Sequence, residues 1–143
     1  MHALIVHLHL ISASVWLGCV LTEALFERAL LGRGREFEYT LAALHWRVDV
    51  LIELPALALV ALSGGWLLWS QPSWPAVWWF KFGAGVLAVA ANLACIRLVW
   101  LRQKKADAGD WVGFARIDAA LHRWGAVVAL GLLLALGLGV GLR

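Results

Sequence analysis

Residues 3–26 read ALIVHLHLISASVWLGCVLTEALF, with no Asp, Glu, Lys or Arg before Glu23. About 20 apolar residues in a helix cross a hydrocarbon core of roughly 30 Å, so this stretch predicts a membrane-spanning helix. Nothing basic precedes it and no small-residue cleavage pattern closes it, so it reads as a retained helix, not a signal peptide. Three further stretches of similar length and polarity follow near 48–70, 77–101 and 122–142. With 63% hydrophobic and 15% charged residues in 143 positions, the expectation is all-α: a polytopic membrane four-helix bundle in one transmembrane domain, 1–143.

Nine of the twelve Lys and Arg residues lie in or beside two connections: Arg28, Arg33, Arg35 and Arg47, then Arg102, Lys104, Lys105, Arg116 and Arg123. The positive-inside rule places both connections in the cytoplasm and both termini outside, as in a multi-pass protein of a bacterial-type inner membrane. The middle connection, SQPSWPAVWW, has the prolines of a short external turn. Trp66, Trp69, Trp74, Trp78 and Trp79 form an expected outer belt, and Trp46, Trp100, Trp111 and Trp124 an inner one. Trp16 alone sits near the bilayer middle. The basic residues are thus spent on orientation and lipid contact, and no zinc-finger, phosphate-loop or nucleophile-elbow spacing points to nucleic acid or hydrolysis. The two inner connections, roughly twenty residues each, suit short interfacial helices. Cys19 and Cys95 fall inside spans, where buried thiols are expected.

Ionisable groups inside a bilayer cost about 2.5–3.5 kcal/mol each at the centre, which makes them functional candidates. At about 100° per residue, His9, Ser12, Trp16, Glu23 and Glu27 share one face of the first span, and Lys81, Asn92 and Cys95 share one face of the third. Both faces are expected to look inward. His7 lies on the other side of the first helix from His9. Depth divides the polar groups in two: an outer set of His9 and Lys81, and an inner set of Glu23, Glu27, His45, Asp49, Glu53, Asp118 and His122. Carboxylates and imidazoles four apart on neighbouring helices suit a metal ion in a bundle core. The same acids would also be satisfied by interface pairing with Arg47, Arg97, Arg102 and Arg123. Arg97, on the far face from Lys81, is expected to snorkel. Pro55 should kink the second helix beside the inner acids.

The stretch LHLISASVWLG resembles the first helix of the copper-resistance D-type membrane proteins and of the related HemJ-type protoporphyrinogen oxidases, where a histidine is followed two turns on by tryptophan and then glycine. His9, Trp16 and Gly18 match. WWFKFGAGVLAVAANLACIR looks like the aromatic-x-Lys start of their third helix, with Lys81 and then Asn92. The resemblance implies b-type haem held through His9, with Lys81 important to function; Trp16 and Asn92, on the same inward faces, are further cofactor-binding candidates. The third span has no histidine, and Met1 is the sole methionine, so the methionine-rich copper motifs of the copper group are absent. The leading expectation is a small haem- or metal-binding protein, with copper or another transition metal as the alternative ligand. It would serve electron transfer or tetrapyrrole and copper handling, with membrane oxidoreductase activity left open. Two other classes stay open: a copper permease lined by the stripe from His9 to Glu23, and a non-catalytic subunit of a larger membrane complex. A homodimer would let a second protomer lend an axial ligand.

Overall fold

The computed structural model describes residues 1–70, 73 and 75–141, and among them the chain is all-α. Helix α1 runs His2–Leu30, α2 Arg35–Val48, α3 Leu54–Trp69, α4 Ala76–Asp107 and α5 Trp111–Gly141, with a π-helical turn, Asp49–Glu53, joining α2 to α3. Four stretches are long and apolar enough to cross a membrane: α1, the continuous run Arg35–Trp69, α4 and α5. The chain is therefore a four-helix membrane bundle. Pro72 and Trp74 of the expected external turn lie outside the described residues.

The helices are longer than their apolar stretches. At about 1.5 Å per residue, the 29 residues of α1 and 32 of α4 far exceed a hydrocarbon core of roughly 30 Å. The excess lies at one end, where the charged residues are. The two basic connections accordingly shrink to residues 31–34 and 108–110, and the sequence that suggested separate interfacial helices instead continues the spans. Glycines close both turns: Gly34 has φ 120° and Gly109 has φ 68°, conformations an L side chain resists. Asp110 then caps α5, its Oδ1 accepting the Gly113 N–H at 2.8 Å while Lys105 Nζ donates to Oδ2 at 2.7 Å. The ammonium and the amide hold the Asp110 carboxyl below its ordinary range.

Pro55 does not act as a simple kink. Its ring has no N–H to give and would crowd the Leu51 carbonyl in an α-helix. The chain answers by widening one turn: the Leu54 N–H reaches back five residues to the Asp49 carbonyl.

Packing sorts the spans into two pairs, α1 with α3 and α4 with α5. A core of small residues, Ala13, Ala56, Ala88 and Ala91, surrounds Trp16, which is 1% exposed. The outward faces are apolar and bare, with Leu62 73% and Phe80 74% exposed, as lipid contact requires. The two pairs meet most closely at the charged end, where α2 packs on α4.

Helices α4 and α5 pack closely at Gly131. A Cβ there would lie 3.0 Å from Ala88 Cβ and 3.2 Å from the Ala84 carbonyl oxygen, whereas one at Gly125 would meet nothing within 4 Å. Gly131→Ala should therefore lower thermal stability in detergent by about 1–3 kcal/mol, and Gly125→Ala by no more than about 0.5 kcal/mol. Equal effects of the two would contradict this packing.

Candidate functional sites

Two clefts open between the helix pairs. One lies in the half of the bundle that holds the chain termini, the other toward the charged end.

The terminal-end cleft has a volume of about 680 Å³ and is walled by all four spans, with His9 and Lys81 among apolar side chains and glycines. This size is typical of small-molecule sites. His9 is half-buried, and its Nδ1 lies 2.9 Å from Ser63 Oγ. The single hydroxyl proton of Ser63 is directed to the Leu59 carbonyl at 2.5 Å. Ser63 Oγ therefore accepts from His9 Nδ1–H, which leaves the lone pair of the neutral ring on Nε2. Gly64 makes room for the ring, since a Cβ there would sit 3.2 Å from His9 Cε1. Lys81 Nζ lies 4.6 Å from the centroid of the Trp78 ring, and a Cβ at Gly139 would approach that nitrogen to 2.9 Å. His7, on the opposite face, is exposed.

The cleft toward the charged end, about 940 Å³, opens between α1 and α5. Glu23, Glu27, His45, Asp49, Glu53 and His122 line it, and Asp118 stands behind them. The residues expected as an inner set are thus brought together. They do not meet four arginines, however. Arg47, Arg97 and Arg123 are exposed, and Arg102 alone among the described arginines enters the cluster, 0% exposed. Its Nη1 donates to Glu27 Oε1 and to Asp118 Oδ1, both at 2.6 Å, and its Nη2 meets His45 Nδ1 at 2.7 Å. The guanidinium also lies over Phe114, 5.7 Å from the ring centroid.

A guanidinium has no lone pair to offer, so at this contact His45 Nδ1 must accept. The proton of the neutral ring then sits on Nε2, 3.1 Å from Glu23 Oε2. His45 therefore bridges Arg102 and Glu23, and it also stands with Glu23 and Asp49 in a group whose ligand atoms lie within 4.8 Å of one another, as its expected role as a metal ligand needs. His122 is set differently: its Nδ1 lies 2.9 Å from the Asp118 carbonyl oxygen, to which it donates, and its side chain is half exposed at the cleft mouth.

Trp16 and Asn92 stand between the clefts. Trp16 Nε1–H donates to Asn92 Oδ1 at 3.2 Å; Trp16 walls the first cleft and Asn92 the second. The inward stripes of α1 and α4 are joined by this bond. Cys19 and Cys95 are free thiols. Two residues central to the geometry, Arg102 and Ser63, were not singled out by spacing, although Arg102 falls within about 20° of Cys95 on the helical wheel.

No known sequence family, curated protein or solved structure matches this chain.

Removing Arg102 leaves Glu27 and Asp118 buried without a counter-charge, which should cost about 3–5 kcal/mol. Thermal unfolding of Arg102→Met in detergent should show that loss. Arg102→Lys should not restore wild-type stability, because a single ammonium cannot span three partners as the planar fork does. Wild-type stability in the lysine variant would refute this reading of the cluster.

Proposed function

We propose that this protein binds b-type haem, or a transition metal in its place, in the terminal-end cleft through His9 Nε2, and serves electron transfer or tetrapyrrole handling in a membrane. The observation that carries the reading is the His9–Ser63 hydrogen bond at 2.9 Å. Ligating histidines characteristically donate their other ring N–H to a fixed acceptor, which sets the tautomer and the ring plane. Ser63 does this for His9.

The surroundings fit a tetrapyrrole. The walls are apolar, Gly64 and Gly139 leave space that a side chain would take, and the Lys81 ammonium offers a counter-charge for peripheral carboxylates. Haem bound there would supply one-electron chemistry, its potential set by the histidine, the burial and the nearby cation. The likeness of His9, Trp16, Gly18 and Lys81 to the copper-resistance D-type and HemJ-type proteins supports the same assignment. In that setting the charged end faces the cytoplasm of a bacterial-type inner membrane, as its arginines and lysines favour. A copper path from His9 to Glu23 is served less well, because the buried Trp16, bonded to Asn92, stands between the two clefts.

Purified protein in mild detergent, as isolated or loaded with haem b, should show a Soret band that shifts on dithionite reduction. His9→Ala should lose it. Ser63→Ala should keep the ligand but bind about 10- to 100-fold more weakly, and Gly64→Leu should exclude the group by filling the cleft. Elemental analysis of the same samples separates iron from copper. Protein that takes up neither haem nor stoichiometric metal, or an unchanged spectrum in His9→Ala, would refute the assignment.

A further inference from the structure

The cleft toward the charged end gathers more buried acidic groups than the described Lys and Arg residues pair with. Glu27 and Asp118 pair with Arg102, and Glu23 meets the His45 ring, whose Nδ1 faces Arg102; Asp49 and Glu53 line the same cleft. Arg102 is committed to Glu27 and Asp118, and no Lys or Arg among the described residues forms an ion pair with Glu23, Asp49 or Glu53. These three are deeply buried, Asp49 1%, Glu53 2% and Glu23 8% exposed. Each keeps one buried oxygen without a hydrogen-bond partner: Asp49 Oδ2, Glu53 Oε1 and Glu23 Oε1. Buried carboxylates in a low-dielectric interior must be paired, protonated or bound to a metal.

We propose that Glu23, Asp49 and Glu53 form a binding site for a hard divalent cation of the Mg²⁺ or Mn²⁺ class, separate from the His9 cleft. Ligand atoms of Glu23, Asp49 and the neighbouring His45 lie within 4.8 Å of one another, close enough to share an ion. Glu53 is hydrogen-bonded to Asp49 and lines the same cleft, so it can add a further oxygen, and oxygen ligands select hard cations over zinc or copper. His45 acts one step back: its Nε2–H holds Glu23 Oε2 and leaves Oε1 for the ion, and Arg102 fixes His45 in turn. The π turn places Asp49 and Glu53 on the same wall. Between α1 and α5 the cleft supplies an entry path, with exposed Arg28 and half-exposed His122 at its rim.

Protons are the rival for the same oxygens, and Mn²⁺ distinguishes the two. Chelator-treated protein in detergent at neutral pH is titrated with Mn²⁺, following loss of the free-ion electron paramagnetic resonance signal. One Mn²⁺ per chain is expected, with at least a tenfold loss of affinity in Asp49→Asn and in Glu53→Gln. Glu36→Gln, an exposed acid on α2, should bind as wild type does, and so should His9→Ala, which separates this site from the His9 cleft. Pulsed measurements on the wild-type complex alone should show no ¹⁴N coupling from a directly bound imidazole. No stoichiometric Mn²⁺ in the wild type would assign the charge to protons and overturn the proposal. Full binding in both acid variants, or direct ¹⁴N coupling, would overturn it equally.

Discussion

Arg102 is the group on which the charged end of the bundle depends. It is completely buried, it comes from α4, and its partners come from α1, α2 and α5. Its polar contacts tie four helices at one point. Lipid provides no hydrophobic force to draw helices together, so polar contacts and close packing must do so. A buried ion pair is weak evidence for net stability, since desolvating the charges offsets much of their attraction. What this one supplies is register: it fixes how α1, α2 and α5 are turned about their axes, and so which residues face the cleft. The tautomer of His45 follows from it, and the orientation of Glu23 follows from His45.

From that point the bundle loosens toward the termini. The pairs α1 with α3 and α4 with α5 are internally close, and the small residues around Trp16 hold the pairs together at mid-height. Beyond this the helices separate enough to leave the His9 cleft. Trp16 fills the middle because alanines face it from α1, α3 and α4, and its indole N–H finds an acceptor in Asn92. One bulky residue therefore performs two tasks: it completes the core and it separates two chemically different chambers. On one side stand an imidazole and an ammonium in apolar surroundings; on the other, carboxylates.

Much of this was legible in the sequence. Hydropathy and length placed four spans, and the 3.6-residue repeat put His9, Trp16, Glu23 and Asn92 on inward faces, because in a membrane a polar stripe has nowhere else to go. The length of the helices was not legible, since polar ends of overlong spans resemble loops by composition alone. Nor was the choice among arginines. A wheel gives an angle, but which of several cations at one depth reaches a given carboxylate depends on how neighbouring helices are turned. Ser63 was missed for another reason: a serine within a helix commonly bonds back to its own backbone, as Ser63 does, and that gives no sign of a second partner across the bundle. The proton position on His45 needs the Arg102 contact and could not be read from spacing.

The π turn at Asp49–Glu53 carries a consequence for how this sequence tolerates change. A π turn is, in effect, an α-helix with one residue inserted. Losing one residue there would leave the hydropathy of the second span almost untouched, and the chain would still cross the bilayer. Everything on the α2 side would nevertheless rotate by about 100° relative to α3, carrying His45 away from Arg102 and Glu23. Single-residue deletions in this turn are thus silent to membrane insertion and decisive for the charged centre, so the span's length and its chemistry are under separate constraints.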